Sequence, residues 1–223
     1  MDFMKWLNSL DELLYEVMSW LAFYPLTLWR AAVRPLSMMA YADSQLALPE
    51  AEQYSDAISP PLFLALTLAL AHGIEEALGV TDRIVASHRG LAGLVSDDSS
   101  AVVLRLLVFA IFPLVMSVRL VRGQRVQLNR LSLRMPFYAN CYPASLFALG
   151  ISIGTTIATL HWPPGRMVGA AMASAALIHY VVVETCWFKS QRPIGAIVAF
   201  ASAIVGLTEG FALLLLVAIL FRS

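Results

Sequence analysis

The sequence predicts an all-α integral membrane protein: a helix bundle of about five transmembrane helices, preceded by an N-terminal amphipathic interfacial region. Of its 223 residues, 59% are hydrophobic and only 13% are charged, and its mean hydropathy is +0.73. Soluble domains carry about 25% charged residues, and a soluble core of this length could not hide so much apolar surface. In addition, several stretches reach the roughly 20 apolar residues that a spanning helix needs.

The N-terminal region, residues 1–59, is expected to lie in the cytoplasm or at the membrane surface. Pro25 and Pro35 should divide its second half into short helices that lie on the membrane or against the bundle. The alternative makes residues 13–33 a sixth span that contains Glu16. The apolar positions of the first segment recur at helical spacing, which predicts an amphipathic helix. They are Leu7, Leu10, Leu14, Val17 and Leu21.

The transmembrane domain, residues 60–223, contains the five predicted spans. Pro143 is expected to lie at the entrance of the third helix, and Pro113 should kink the second. The sequence HWPPGR predicts a tight turn between the third and fourth spans, and residues 82–100 form the main polar loop. The predicted spans are 61–80, 101–121, 143–161, 167–188 and 194–221.

Basic residues predict the orientation, because cytoplasmic loops carry an excess of Lys and Arg. With five spans, one side holds ten basic residues, the other holds four, and Arg105 lies within a span. We therefore expect a cytoplasmic N-terminus and a bacterial inner membrane or its equivalent. The ten are Lys5, Arg30, Arg34, Arg119, Arg122, Arg125, Arg130, Arg134, Lys189 and Arg192, and the four are Arg83, Arg89, Arg166 and Arg222.

A cluster of ionisable residues is predicted inside the membrane. At a rise of about 1.5 Å per residue, Glu75, Glu76 and Glu209 all lie about 21–23 Å from the cytoplasmic side. Arg105 falls in the same layer and is expected to pair with one or two of these carboxylates, since intramembrane charges usually pair. The sequence adds two histidines near the middle of the membrane, which could line a route inward. They are His72 and His179.

Other polar and small residues favour structural interpretations. Glu184 is close enough in sequence to Lys189 and Arg192 to pair with them at the membrane interface. Small residues at helical spacing predict close helix packing, and with so small a bundle they also lead us to expect a homo-oligomer. These glycines are Gly150, Gly154, Gly169 and Gly206.

Several classes of function lack a signature. The sequence contains neither GxSxG nor HExxH, so we expect no enzymatic activity. It has HxxE once rather than the paired ExxH of di-iron proteins, and Cys141 and Cys186 lack metal-ligand spacing. We therefore expect no metal and no cofactor. A formal net charge of zero without a basic tract argues against nucleic acid as a partner.

The segments FYPLTLWRAAVRP and SPPLFLALTLAL, together with the layout of five closely spaced spans, resemble the Yip1 family over most of the chain. This resemblance implies a non-enzymatic membrane organiser, as eukaryotic members are in vesicle trafficking, and it carries over no catalytic residue. The leading hypothesis is different: an oligomeric cation or proton channel or transporter that uses the intramembrane cluster, since carboxylates select cations. The Yip1-like scaffold is the alternative.

Overall fold

The computed structural model describes residues 2–79 and 98–222, and within these ranges the chain forms helices and connecting turns, with no β-strand. The predicted all-α class is therefore confirmed. A short 3-10 helix, Glu50–Glu52, follows α2, and most of the predicted polar loop 82–100 lies outside the described residues. The helices are α1 (Asp2–Val33), α2 (Pro35–Gln45), α3 (Pro60–Ala77), α4 (Asp98–Phe109), α5 (Ile111–Gly123), α6 (Arg130–Thr159), α7 (Gly165–Gln191) and α8 (Ala196–Arg222).

Within the described residues, four helical stretches are long and apolar enough to cross a membrane: Val102–Gly123, Arg130–Thr159, Gly165–Gln191 and Ala196–Val217. They coincide with four of the five predicted spans and make the chain an integral membrane bundle. The other predicted span, 61–80, corresponds to α3, which has 18 residues and is not among the four. Three polar residues in its last two turns lower its hydropathy. They are His72, Glu75 and Glu76.

Helix α6 begins 13 residues before the predicted span at 143, so that boundary is wrong. A capping box starts the helix: the Asn129 side chain accepts from the Ser132 amide at 2.9 Å, and the Ser132 hydroxyl accepts from the Asn129 amide at 3.0 Å. Such reciprocal bonds satisfy amides that have no partner within a first helical turn. The helix then continues through Pro136 and Pro143, and tertiary packing outweighs the helix-breaking tendency of both prolines.

The second predicted span is interrupted near its middle. Helix α4 ends at Phe109 and α5 begins at Ile111, with Ala110 between them. Pro113 has no amide hydrogen for the carbonyl four residues earlier, that of Phe109. The effect expected of Pro113 is therefore observed as an interruption between α4 and α5, about one helical turn before the proline.

Helix α1 is continuous from Asp2 to Val33, so Pro25 does not divide it as predicted. Its second half packs on the bundle, where Thr27 and Ala31 are fully buried. Residues 13–21 of this helix leave apolar side chains uncovered, with Leu14 53% and Leu21 68% exposed. Helix α1 is not among the four candidate spans of the described chain. These exposed residues lie on the predicted apolar face, which is suited to contact a lipid surface.

Helix α6 is the centre of the bundle and packs against α2, α3, α5 and α7. Gly154 lies against Gly169 of α7, where a Cβ on Gly154 would be 2.8 Å from the Gly169 carbonyl oxygen. Gly150 similarly meets Ala176, so α6 and α7 run antiparallel in close contact. We call the end of the bundle where α5 ends and α6 begins the basic end. It carries Arg122, Arg125, Arg130 and Arg134.

Candidate functional site

The ion pair between Glu75 and Arg105 joins α3 to α4. Arg105 Nη2 lies 2.5 Å from Glu75 Oε2, and the two side chains are only 13–14% exposed. This pair was predicted, because residue counting places Glu75 and Arg105 at the same depth in the membrane. A carboxylate held this way has its charge compensated by the guanidinium, so the pair is better suited to fixing two helices than to releasing ions.

Two neighbours of Glu75 have different environments. Glu76 is exposed on the outer surface of α3. His72, one turn before Glu75, is 8% exposed, and both of its ring nitrogens are buried without a hydrogen-bond partner among residues 2–79 and 98–222. Buried polar groups are normally hydrogen-bonded, which makes His72 unusual. The three polar residues of α3 therefore differ. Glu75 is paired, Glu76 is exposed, and His72 is buried without a partner among the described residues.

Glu209 pairs with Arg119, which corrects the predicted grouping with Arg105. Arg119 Nη1 lies 2.8 Å from Glu209 Oε1, and Arg119 Nε donates to the Ser202 carbonyl oxygen at 3.2 Å. Gly206 of α8 permits this approach, because a Cβ there would lie within 3.0 Å of the Arg119 side chain. The Glu209 side chain is 48% exposed. Glu209 was predicted in the layer of Arg105, but Gly210 beside it lies against Phe112, two turns of helix away from Arg105.

His179 is half-buried on α7 and forms no ion pair or hydrogen bond within the described part of the chain. The structure thus brings Glu75 and Arg105 together, but it joins neither Glu209 nor His179 to them. In place of the predicted single cluster, the described residues form one ion pair between α3 and α4 and another between α5 and α8.

Glu184 corrects a second prediction, because it does not pair with Lys189 or Arg192. Its side chain is 0% exposed, and neither carboxyl oxygen has a hydrogen-bond partner within the described residues. Lys189 is exposed, and five residues along an α-helix turn it about 140° away from Glu184. Arg192 lies beyond the end of α7 and packs against Gly123 instead.

Glu184 lies at the centre of a polar layer within the bundle. Tyr180, one turn earlier, faces its carboxyl group without a hydrogen bond of ordinary geometry. Tyr180 also stacks on Phe147 of α6, with ring centroids 4.9 Å apart. Glu184 lies one turn after Tyr180 on α7, and Pro143 lies one turn before Phe147 on α6. Because the two helices are antiparallel, Glu184 is therefore opposite Pro143.

Asn140 and Ser117 lie one turn further toward the basic end. Asn140 Nδ2 donates to Ser117 Oγ at 3.2 Å, which links α6 to α5. Both residues are buried, and Asn140 Oδ1 has no partner in the described structure. On α7, Trp187 is at this same level and its buried Nε1 is also unpartnered. Unsatisfied donors and acceptors thus accumulate around Glu184.

A cavity of about 190 Å³ opens beside Trp187 at the basic end. Asp43 of α2, Gln124 and Gln191 contribute polar groups to its lining. Burial raises the pKa of Asp43 to about 6, and its Oδ1 is buried without a partner among the described residues. The volume is sufficient for several water molecules. This cavity brings polar space to within one helical turn of Glu184.

Sequence reasoning missed the burial of Glu184, although the signal was present. Gly169, Ala173, Ala176, Tyr180 and Glu184 form a helical stripe, and the structure packs its small members against α6. A carboxylate on a packing face is necessarily buried. Because Lys189 and Arg192 are close to Glu184 in sequence, an ion pair at the membrane interface was predicted instead.

Comparisons of the chain with protein-family models, curated proteins and solved structures find no significant match.

Proposed function

We propose that this membrane protein translocates protons and that Glu184 is its proton-binding group in the middle of the bundle. The observation that carries this proposal is the complete burial of Glu184 on a membrane-spanning helix, with neither oxygen partnered by any residue that the structure describes. An unpaired charge in such surroundings is very costly, so the carboxyl group is expected to hold a proton. Ionisable residues inside membranes commonly mark proton relays.

A proton fits this site better than a metal cation. A hard cation needs about six oxygen ligands to replace its water shell, whereas a proton needs only one acceptor. Glu184 is a single carboxyl group that faces Tyr180. Of the three carboxylates in the hypothesis from the sequence, Glu75 and Glu209 are already paired with arginines, and Glu76 is exposed.

The proposed route begins at the basic end, where the cavity beside Trp187 admits water and Asp43 exchanges protons with it. It continues from Glu184 toward His72, whose two ring nitrogens are likewise buried without a partner among the described residues. Arg105, which marks the level of His72 and Glu75, is 12 residues before Ser117, or about 18 Å along the helix axis. Glu184 lies about one turn nearer to Arg105 than Ser117 does, so about 13 Å remains. Passage over that distance requires the helices to separate transiently, so we expect slow, carrier-like flux.

Proton flux into liposomes tests this function. A potassium diffusion potential drives protons into vesicles that contain a pH-sensitive dye and the purified protein. We expect Glu184→Gln, which preserves shape and removes the titratable group, to lower the flux at least tenfold. Glu209→Gln is the matched control, because it removes an exposed carboxylate away from the route. Absence of flux in the wild type, or equal flux in wild type and Glu184→Gln, would contradict the proposal.

A non-enzymatic scaffold, of the kind implied by the resemblance to the Yip1 family, is the second candidate. The arginine-paired, mostly buried state of Glu75 favours it, because such a pair fixes helices without conducting ions. The exposed apolar side of α1, which includes Leu14 and Leu21, would then contact lipid or a partner. A wild-type protein without flux that still co-purifies reproducibly with another membrane protein through α1 would favour this candidate.

A further inference from the structure

A groove between α5 and α6 combines a basic rim with an apolar wall. Its volume is about 590 Å³, and Arg130 and Arg134 lie on its rim. These arginines are four residues apart, so they share one face of α6. Both are exposed, and neither takes part in an ion pair within residues 2–79 and 98–222. The groove therefore presents two positive charges that no described carboxylate neutralises.

Tyr138 holds one of these charges in place. The Arg134 guanidinium carbon lies 5.8 Å from the centroid of the Tyr138 ring, one turn further along α6. A cation stacked on an aromatic ring in this way keeps its outward N–H donors available. Arginine is especially suited to phosphate, because its planar group donates two parallel hydrogen bonds to it.

The apolar wall faces the hydrocarbon side of the bundle. Leu114 and Phe137 line the groove, and Leu131 is 80% exposed beside them. Helix α6 has 30 residues and is about 45 Å long, whereas the hydrocarbon core is about 30 Å thick. Its first turns can thus extend to the level of the lipid headgroups while the wall below them remains among acyl chains.

We propose that this groove binds one anionic phospholipid. Arg130 and Arg134 hold the phosphate of its headgroup, and one acyl chain lies along Leu114, Leu131 and Phe137. Basic pockets between membrane helices bind anionic headgroups through this combination of charge and apolar surface. Inorganic phosphate shares the headgroup chemistry but lacks the acyl chain, so it should bind far more weakly.

Native mass spectrometry of the detergent-solubilised full chain tests the assignment. The protein is equilibrated with equal amounts of phosphatidylglycerol and phosphatidylcholine, and retained lipid is counted per chain. We expect about one phosphatidylglycerol per chain. Arg130→Gln/Arg134→Gln should lower its retention about tenfold or more. Arg130→Lys/Arg134→Lys should restore part of it, which separates lost charge from lost folding.

The matched control is Arg122→Gln/Arg125→Gln, which removes two exposed arginines from the same end outside the groove. Retention in this control should equal that of the wild type. An equal loss of lipid in the control would show that the positively charged surface attracts lipid in general and that the groove is not a specific site. Equal retention of phosphatidylcholine would overturn anion selection, and displacement of the lipid by millimolar inorganic phosphate would identify a free-anion site instead.

Discussion

Arg105 of α4 donates a hydrogen bond to Glu75 of α3, whereas the adjacent Glu76 is exposed and belongs to no ion pair of the described chain. Two consecutive glutamates therefore differ in environment although they share chemistry and depth. Comparing the two residues therefore distinguishes the stability that the buried ion pair contributes from any effect of an unpaired charged side chain.

Glu75→Gln should destabilise the protein by about 3 kcal/mol, because it removes a carboxylate that compensates a mostly buried guanidinium. Glu76→Gln is the matched control and should change stability by no more than about 0.5 kcal/mol, as exposed substitutions usually do. Denaturant unfolding of each variant in detergent measures both values. Equal effects of the two substitutions would show that the ion pair contributes no special stability.

Gly154→Ala should destabilise the contact between α6 and α7 by about 1–3 kcal/mol, the usual cost of overpacking. The new methyl group would meet the backbone carbonyl of Gly169, which cannot move away as a flexible side chain could. Gly73→Ala is the control: no atom lies within 4 Å of its Cβ position, and alanine favours a helix. The midpoints of thermal unfolding should fall for the first variant and hold or rise for the second.

The stability of the protein should depend on the protonation of Asp43. Burial raises its folded-state pKa to about 6 from 3.8, so the folded chain binds this proton more tightly than the unfolded chain. The resulting stabilisation is complete below about pH 3.8 and is lost as the pH rises through 6. Asp43→Asn removes this loss, so the variant should gain stability relative to wild type above pH 6.

Unfolding of wild type and Asp43→Asn at a series of pH values from 4 to 8 measures that difference. Because all other titratable groups are shared, their contributions largely cancel. Glu52→Gln, which removes an exposed carboxylate near α2, serves as the control. A constant difference between wild type and Asp43→Asn over the whole range would show that Asp43 titrates alike in both states.

The fold class was predictable because hydrophobicity and segment length are properties of the sequence alone. Helix boundaries were less predictable. Proline disfavours the interior of a helix, yet α6 starts at a capping box at Asn129 and continues through Pro136 and Pro143. Proline lowers local helix propensity, but burial of Tyr142 and its hydrogen bond of 2.9 Å to the Ile58 carbonyl oxygen stabilise this segment through tertiary contacts. Such contacts depend on residues distant in sequence.

Pairing within the bundle was only partly predictable. The level shared by Glu75 and Arg105 was predicted from the rise per residue, because both residues lie near the ends of consecutive predicted spans. The same counting could not assign Arg119 to Glu209, since that contact depends on the close approach of α5 to α8 at Gly206. Glu184 was misplaced because the orientation of a helix about its axis decides whether a carboxylate meets solvent or the core.

Infrared difference spectroscopy of Glu184 tests the central claim most directly. Spectra of the reconstituted protein, recorded before and after a pH increase, reveal each protonated carboxyl group that loses its proton through its C=O stretching band. We predict a band of a protonated carboxyl group in a dry environment that disappears slowly after the increase, is absent in Glu184→Gln and persists in Glu209→Gln. A wild-type spectrum identical to that of Glu184→Gln would contradict the assignment of Glu184 as the proton-binding group.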